Sequence, residues 1–142
     1  MKIKGTKLYF GTNFENWILK DESKKLPKPP THLKYELETS MTDSEIQTKW
    51  SIMPYTVAEL LSLLKNLIGK QPKGESGVLL TNSYVNIFYV KLDDARVVAV
   101  GMGWDAGGRR WYCDAYDLDG GYWGGGDRVF IRSCPSDSLT LP

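Results

Sequence analysis

Four aspartates, one histidine and two cysteines set the limits on what chemistry this chain could perform. Asp114, Asp117, Asp119 and Asp127 surround a glycine-rich run. Glycoside cleavage needs a carboxylic acid of raised pKa facing a nucleophilic or basic carboxylate. Asp114 with Asp117 or Asp119 is therefore a candidate pair for an enzyme acting on a carbohydrate or nucleotide. The run Asp117-Leu118-Asp119-Gly120 opens like a calcium loop, but Arg128 stands where that loop requires its closing glutamate, and turn-forming aspartates explain the run more simply. His32 is the single histidine. It precedes a strand with no adjacent nucleophile motif, which speaks against a histidine-based triad, and it cannot complete a zinc site with Cys113 and Cys134. The two cysteines read as free thiols, Cys113 buried and inert. The GGYWGGG segment lacks the lysine and the spacing of phosphate-binding glycine loops. Neither a cofactor nor a metal is expected.

These residues belong to a distinctive stretch, 101–132. It holds nine of the 14 glycines, three of the 5 tryptophans, four of the five arginines, three tyrosines and five aspartates. Large rings, flexible backbone and both charge signs suit a β-structure that offers aromatic faces and charged hydrogen-bonding groups to something else. Arginine among aromatic rings can stack in ways that lysine cannot.

At 142 residues the chain fits one domain, with residues 1–31 as an arm or edge segment and 32–142 as the core. The formal net charge of +1 argues against a protein that grips nucleic acid by charge alone. Residues 1–34 nevertheless carry eight lysines against three acids, a local excess that reads as a solvated face. No run approaches a membrane span, and no export signal opens the chain, so the expectations are a cytoplasmic location and no membrane partner.

Periodicity supplies the elements that must position these groups. Residues 2–10 read as a short strand and 17–19 as a helical turn, while the proline-rich 20–30 segment reads as a surface loop. Residues 32–39 alternate as a half-buried strand. Thr42 to Glu45 and Thr56 to Glu59 are two capping boxes, each opening a helix. The second helix runs to Gly69, with an apolar stripe at Val57, Leu60, Leu61, Leu64, Leu67 and Ile68. From Gly77 the pattern turns to strands at 78–81, 84–91, 96–104, 109–118 and 127–132. Short turns between them predict an α+β fold: an antiparallel four- or five-stranded meander with one long and one shorter helix packed on one face.

Register then predicts a surface. A turn centred on Asp93-Asp94 pairs Val90 with Val97, and a DAGG loop at 105–108 pairs Met102 with Trp111. One face then collects Val85, Ile87, Tyr89, Val98, Val100, Met102, Trp104, Trp111, Cys113 and Ala115 as the core. The other collects Tyr84, Asn86, Phe88, Val90, Val97, Ala99, Gly101, Gly103, Arg110, Tyr112, Asp114 and Tyr116. In that register Tyr112 lies across Gly101 and Arg110 across Gly103, a trough floored by glycine and walled by tyrosine. The N-terminal arm or the 32–39 strand either covers this trough or leaves it open. Tyr122 and Trp123, in the glycine-rich loop, anchor that loop or touch a ligand.

The run Asn82 to Val90, with Trp104, Trp111, Trp123-Gly124 and Asp127-Arg128-Val129-Phe130, resembles a pattern in small bacterial and phage open reading frames. The likeness spans residues 78–133. It implies a context such as a mobile genetic element and no particular activity. Within it, Arg128-Val129-Phe130 reads as a last strand whose arginine clamps the aspartate loop.

The leading functional expectation is a small non-enzymatic binding protein. Tyr84, Asn86, Arg110, Tyr112, Asp114, Tyr116, Tyr122 and Trp123 would hold a protein or small polar ligand. The alternatives are the paired-aspartate enzyme and a nucleic-acid-associated factor using the N-terminal lysines, the latter not favoured.

Overall fold

A mixed sheet forms the middle of the molecule, with apolar clusters on both of its faces. The computed structural model describes residues 1–21, 25–118 and 121–133; Asp119, Gly120 and Cys134, named above, lie outside them. In chain order the elements are β1 (Leu8–Phe10), α1 (Thr12–Trp17), β2 (His32–Glu36), β3 (Met41–Thr42), α2 (Asp43–Trp50), β4 (Tyr55–Thr56) and α3 (Val57–Gly69). Then follow β5 (Asn86–Lys91), β6 (Val97–Asp105), β7 (Arg110–Tyr116), β8 (Tyr122–Trp123) and β9 (Arg128–Arg132). The main sheet runs β1-β7-β6-β5-β9-β2, with β4 also on β5, and β3 pairs with β8 in a second, two-stranded sheet.

The expected antiparallel meander is therefore incorrect beyond β5, β6 and β7. Only those three strands are joined by hairpins and pair in sequence order. β9 does not follow β7 into the next position; it enters beside β5 in parallel, while β1 joins β7 and β4 joins β5, also in parallel. Parallel pairing needs a crossover rather than a tight turn. The glycine-rich segment after β7 provides that length. Residues 78–81 form no strand. Instead the buried Gln71 side chain holds them, accepting from the Leu79 N–H (2.9 Å) and donating to the Leu79 carbonyl (3.1 Å).

Both capping boxes are present. Thr42 with Glu45 opens α2, and Thr56 with Glu59 opens α3. The six stripe residues of α3 are all buried, against Phe88, Val90, Val98, Val100, Met102, Trp111, Cys113 and Ala115. Phe14 and Ile18 of the first segment join this core, so residues 1–21 contribute a strand and a packed helix. The shorter helix α2 is not on this face, contrary to expectation. Its Ile46 lies in the second cluster with Leu37, Ile87, Tyr89, Ala99, Val129 and Ile131, and its Trp50 stacks on Tyr35 (5.3 Å). With β3 bound to β8 immediately before it, α2 starts on the far side of the sheet and can only cover that side.

The β5–β6 register also differs by one residue, and the cause is local. The Ala95 N–H donates to the Leu92 carbonyl (2.9 Å) and the Leu92 N–H to the Arg96 carbonyl (2.8 Å), so the loop holds Asp93, Asp94 and Ala95. Ala95 has φ +73°, the left-handed residue of a three-residue hairpin. One extra loop residue pairs Val90 with Val98 and exchanges the faces of β5. Phe88 and Val90 enter the main core, and Ile87 and Tyr89 face α2. The β6–β7 loop is displaced by two residues, pairing Asp105 with Arg110 and Trp104 with Trp111. An even displacement preserves the faces.

Glu59 ties α3 to the last described strand. Its carboxylate accepts from the Thr56 N–H (3.0 Å) and from Arg132 Nε and Nη2 (3.0 Å each). Burial alone would raise its pKa, but Arg132 and Thr56 outweigh that and hold it below the ordinary glutamate value. The unfolded chain then binds more protons near that value, so this stabilisation is complete above 4.5 and is lost as pH falls through the lower folded value. Glu59→Gln should cost about 1–3 kcal/mol at pH 7, and less as the acid limb is descended, measured by urea unfolding across pH. Ala95→Gly relieves a left-handed alanine and should raise stability by about 0.5–1 kcal/mol in the same assay. A loss would contradict the three-residue loop.

Candidate functional site

Along β7 the side chains alternate without interruption. Trp111, Cys113 and Ala115 are fully buried, whereas Arg110, Tyr112, Asp114 and Tyr116 point to the other face and are partly or largely exposed. Opposite them β6 offers Asp105, Gly103, Gly101 and Ala99. Tyr112 thus lies across Gly103, not Gly101, and a Cβ at Gly103 would sit 2.8 Å from its hydroxyl. Gly101 is roofed by three side chains. A Cβ there would meet Trp123 at 3.2 Å and Tyr116 and Val85 at 3.3 Å. The expected glycine floor and tyrosine wall are present, shifted by two residues.

The N-terminal arm does not lie over this trough, but its Ala99 end is covered: Leu37 of the 32–39 segment and Ile46 of α2 share a buried cluster with Ala99. β1 adds beside β7 as an edge strand, and β2 lies at the opposite edge. The pairing of β1 extends the face, because Tyr9 stands opposite Tyr112. Arg110 stacks over the Tyr9 ring (4.7 Å) while its Nε donates to Asp105 (3.2 Å). Tyr9 was not among the expected site residues. Its place follows from a parallel contact more than a hundred positions away, which no local pattern announces.

The glycine-rich segment is anchored at both ends. Trp123 donates its indole N–H to Asp43 Oδ1 (2.7 Å), and the Tyr89 hydroxyl donates to the same oxygen (2.6 Å). Burial and Asp43 push the Tyr89 hydroxyl pKa up, so it remains a donor. Asp43 is 6% exposed and was missed in sequence, where it reads only as part of a helix cap. Further on, Asp127 accepts from the Val85 N–H (2.9 Å) and the Gly124 N–H (3.0 Å). Gly126, at φ +100°, packs beneath Tyr84, where any Cβ would collide with the ring. The indole of Trp123 meets Tyr116 edge-on (5.8 Å, 76°). Trp123 therefore anchors the segment and presents Tyr122, which is 73% exposed.

Two expected site residues do not belong. Asn86 is completely buried on the other face, donating to the Leu80 (3.2 Å) and Met102 (3.1 Å) carbonyls and accepting from the Leu80 N–H (2.9 Å). The one-residue shift of β5 put it there. Asp114 lies at the sheet edge against Gly11, and its Oδ1 accepts from Ala115 (2.8 Å) and Phe14 (3.4 Å) N–H groups. It caps α1 from another strand. Asp117 pairs with Arg96 (2.9 Å), so Asp114 and Asp117 diverge rather than converge on a cation or a scissile bond. Arg128 does not clamp them either; it bonds Glu36 (2.5 Å) and the Val78 carbonyl (2.7 Å).

With Trp123 serving as the anchor, Tyr9, Tyr84, Arg110, Tyr112, Tyr116 and Tyr122 remain partly or largely exposed. Tyr9, Tyr84 and Tyr116 are 51%, 46% and 42% exposed. Burial, with nearby Asp127 and Asp105, raises the Tyr112 pKa; burial, with Asp114, raises that of Tyr116. Both hydroxyls are neutral at physiological pH and can donate as well as accept. A shallow cavity of about 240 Å³ lies beside them, lined by Asp43, Tyr116, Asp117, Gly121, Tyr122 and Trp123. Comparison with family models, curated proteins and solved structures gave no match. No helix among the described residues is long and apolar enough to cross a membrane.

Asp43→Asn leaves one amide where two donors converge on a carboxylate. It should cost about 1–3 kcal/mol and accelerate amide exchange at Tyr122 and Trp123, read by hydrogen–deuterium exchange.

Proposed function

We propose that this chain is a non-enzymatic binding protein, of bacterial or phage context, that holds a protein partner on its tyrosine face. The observation that supports this most directly is the set of exposed tyrosines, Tyr9, Tyr84, Tyr116 and Tyr122, with Arg110 stacked on Tyr9. Tyrosine and arginine dominate the energetics of protein interfaces, because each offers large contact area with a polar end. Tyr112 and Tyr116 rest on glycine backbone, so their rings are held in place before any partner arrives. Little conformational entropy is then lost on binding.

Shape favours a protein over a small polar ligand on this face. Sites for small molecules typically enclose about 300–1,000 Å³. The cavity here is about 240 Å³ and shallow, whereas the tyrosines extend across β1, β7 and the β8 segment. The pairing of Asp114 with Asp117 loses its support, since Asp114 caps a helix and Asp117 holds Arg96, while Asp119 lies outside the described residues.

The test is comparative capture from lysate of the source cells, followed by affinity measurement on the purified partner. Tyr112→Ala with Arg110→Ala should weaken that partner at least about tenfold while leaving the melting temperature within a few degrees. Unchanged affinity in the double variant would reject the face.

A further inference from the structure

A cavity of about 440 Å³ lies at the β6–β7 hairpin end of the sheet, and none of the face's tyrosines lines it. Three segments build it: residues 5–7 leading into β1, Pro72 and Lys73 after α3, and Trp104 with Arg109 from the β6–β7 hairpin. Its charged lining is entirely cationic, Lys7, Lys73 and Arg109, with no aspartate or glutamate in the wall. The contrast with the rest of the molecule is sharp. Arg96, Arg110, Arg128 and Arg132 each pair with a carboxylate. Among the described residues Arg109 has no such partner, nor do Lys7 and Lys73.

Backbone geometry agrees with use of these side chains. Arg109 has φ +53°, a left-handed conformation that glycine or asparagine adopts at lower cost. An arginine held there lines the cavity at the expense of backbone strain. Gly74, at φ +72°, lies so close to the Trp104 indole that any Cβ would overlap the ring. Trp111 meets the same indole edge-on (5.4 Å). The partly buried Trp104 is thus a fixed aromatic wall beside three cations that make no ion pair among the described residues.

We propose that this cavity binds a mononucleotide carrying a di- or triphosphate. Its volume is within the range of small-molecule sites. Three cations match a multiply charged phosphate chain, and Arg109 can take phosphate oxygens in a bidentate manner. The indole supplies the surface on which a flat base stacks. A lone inorganic anion would use the cations and leave that wall empty.

Isothermal titration at about 100 mM salt with ADP, pyrophosphate and adenosine tests this. ADP should bind saturably, pyrophosphate more weakly and adenosine weakest. Arg109→Ala and Lys73→Ala should each lower ADP affinity about tenfold or more, the usual loss for a hydrogen bond to a charged group. Their side chains make no ion pair among the described residues, so melting temperatures should hold. Tyr112→Ala should leave ADP binding unchanged, which separates this site from the tyrosine face. No saturable ADP binding, or equal binding by both cation variants, overturns the proposal. Pyrophosphate binding as tightly as ADP removes the indole from the site and overturns it too. So does a single-stranded oligonucleotide that binds Arg109 and Lys73 and is not displaced by ADP.

Discussion

Trp111 is completely buried, and its indole N–H has one specific acceptor, the Gln71 carbonyl at 2.8 Å. Moving β7 by one residue would strand that donor in the core and replace the largest interior ring with Tyr112. An unpaired buried N–H costs about 1–3 kcal/mol, and the lost packing several more. The pairing of Trp104 with Trp111 is fixed by this constraint, and the two faces of the sheet follow from it. Tyr112, Tyr116 and Arg110 are turned outward because Trp111, Cys113 and Ala115 must be inward. Trp104, one strand over, is carried to the sheet's end, where it walls the cationic cavity.

A second consequence concerns the carboxylates. Asp43, Asp114 and Asp127 are each consumed by N–H or O–H donors from distant parts of the chain, and Asp117 by an arginine. The first three join a helix or a loop to a strand: α2 to β8, α1 to β7, the last loop to the start of β5. Aspartate does this well, since a charged acceptor strengthens each bond and one carboxylate can serve several donors. These four aspartates hold the architecture together. Cys113 is architecture as well, its thiol pushed well above the ordinary range by complete burial and by Asp114.

Local signals were legible wherever the determining contacts are close in sequence. Both capping boxes and the α3 stripe follow from three- and four-residue spacing, and all are present. The alternation of β6 and β7 likewise separates Val98, Val100, Met102, Trp111, Cys113 and Ala115 from the residues between them. The Asp93-Asp94 turn was misread because Ala95 adopts a conformation that its type disfavours. One alanine at φ +73° sent Asn86 to the interior and Ile87 and Tyr89 to the second cluster.

What the chain determined by itself was therefore α2 and α3 with their caps and the inward face of β6 and β7. Periodicity and capping act over one or two turns, and their energetics do not depend on the remainder of the fold. Tertiary structure alone decided that β1, β4 and β9 enter in parallel, that α2 covers the second face, and that Tyr9 stands beside Tyr112. It also gathered Lys7, Lys73 and Arg109 around Trp104. These choices arise from burying apolar surface on both sides of one sheet, a collective requirement that no short segment carries.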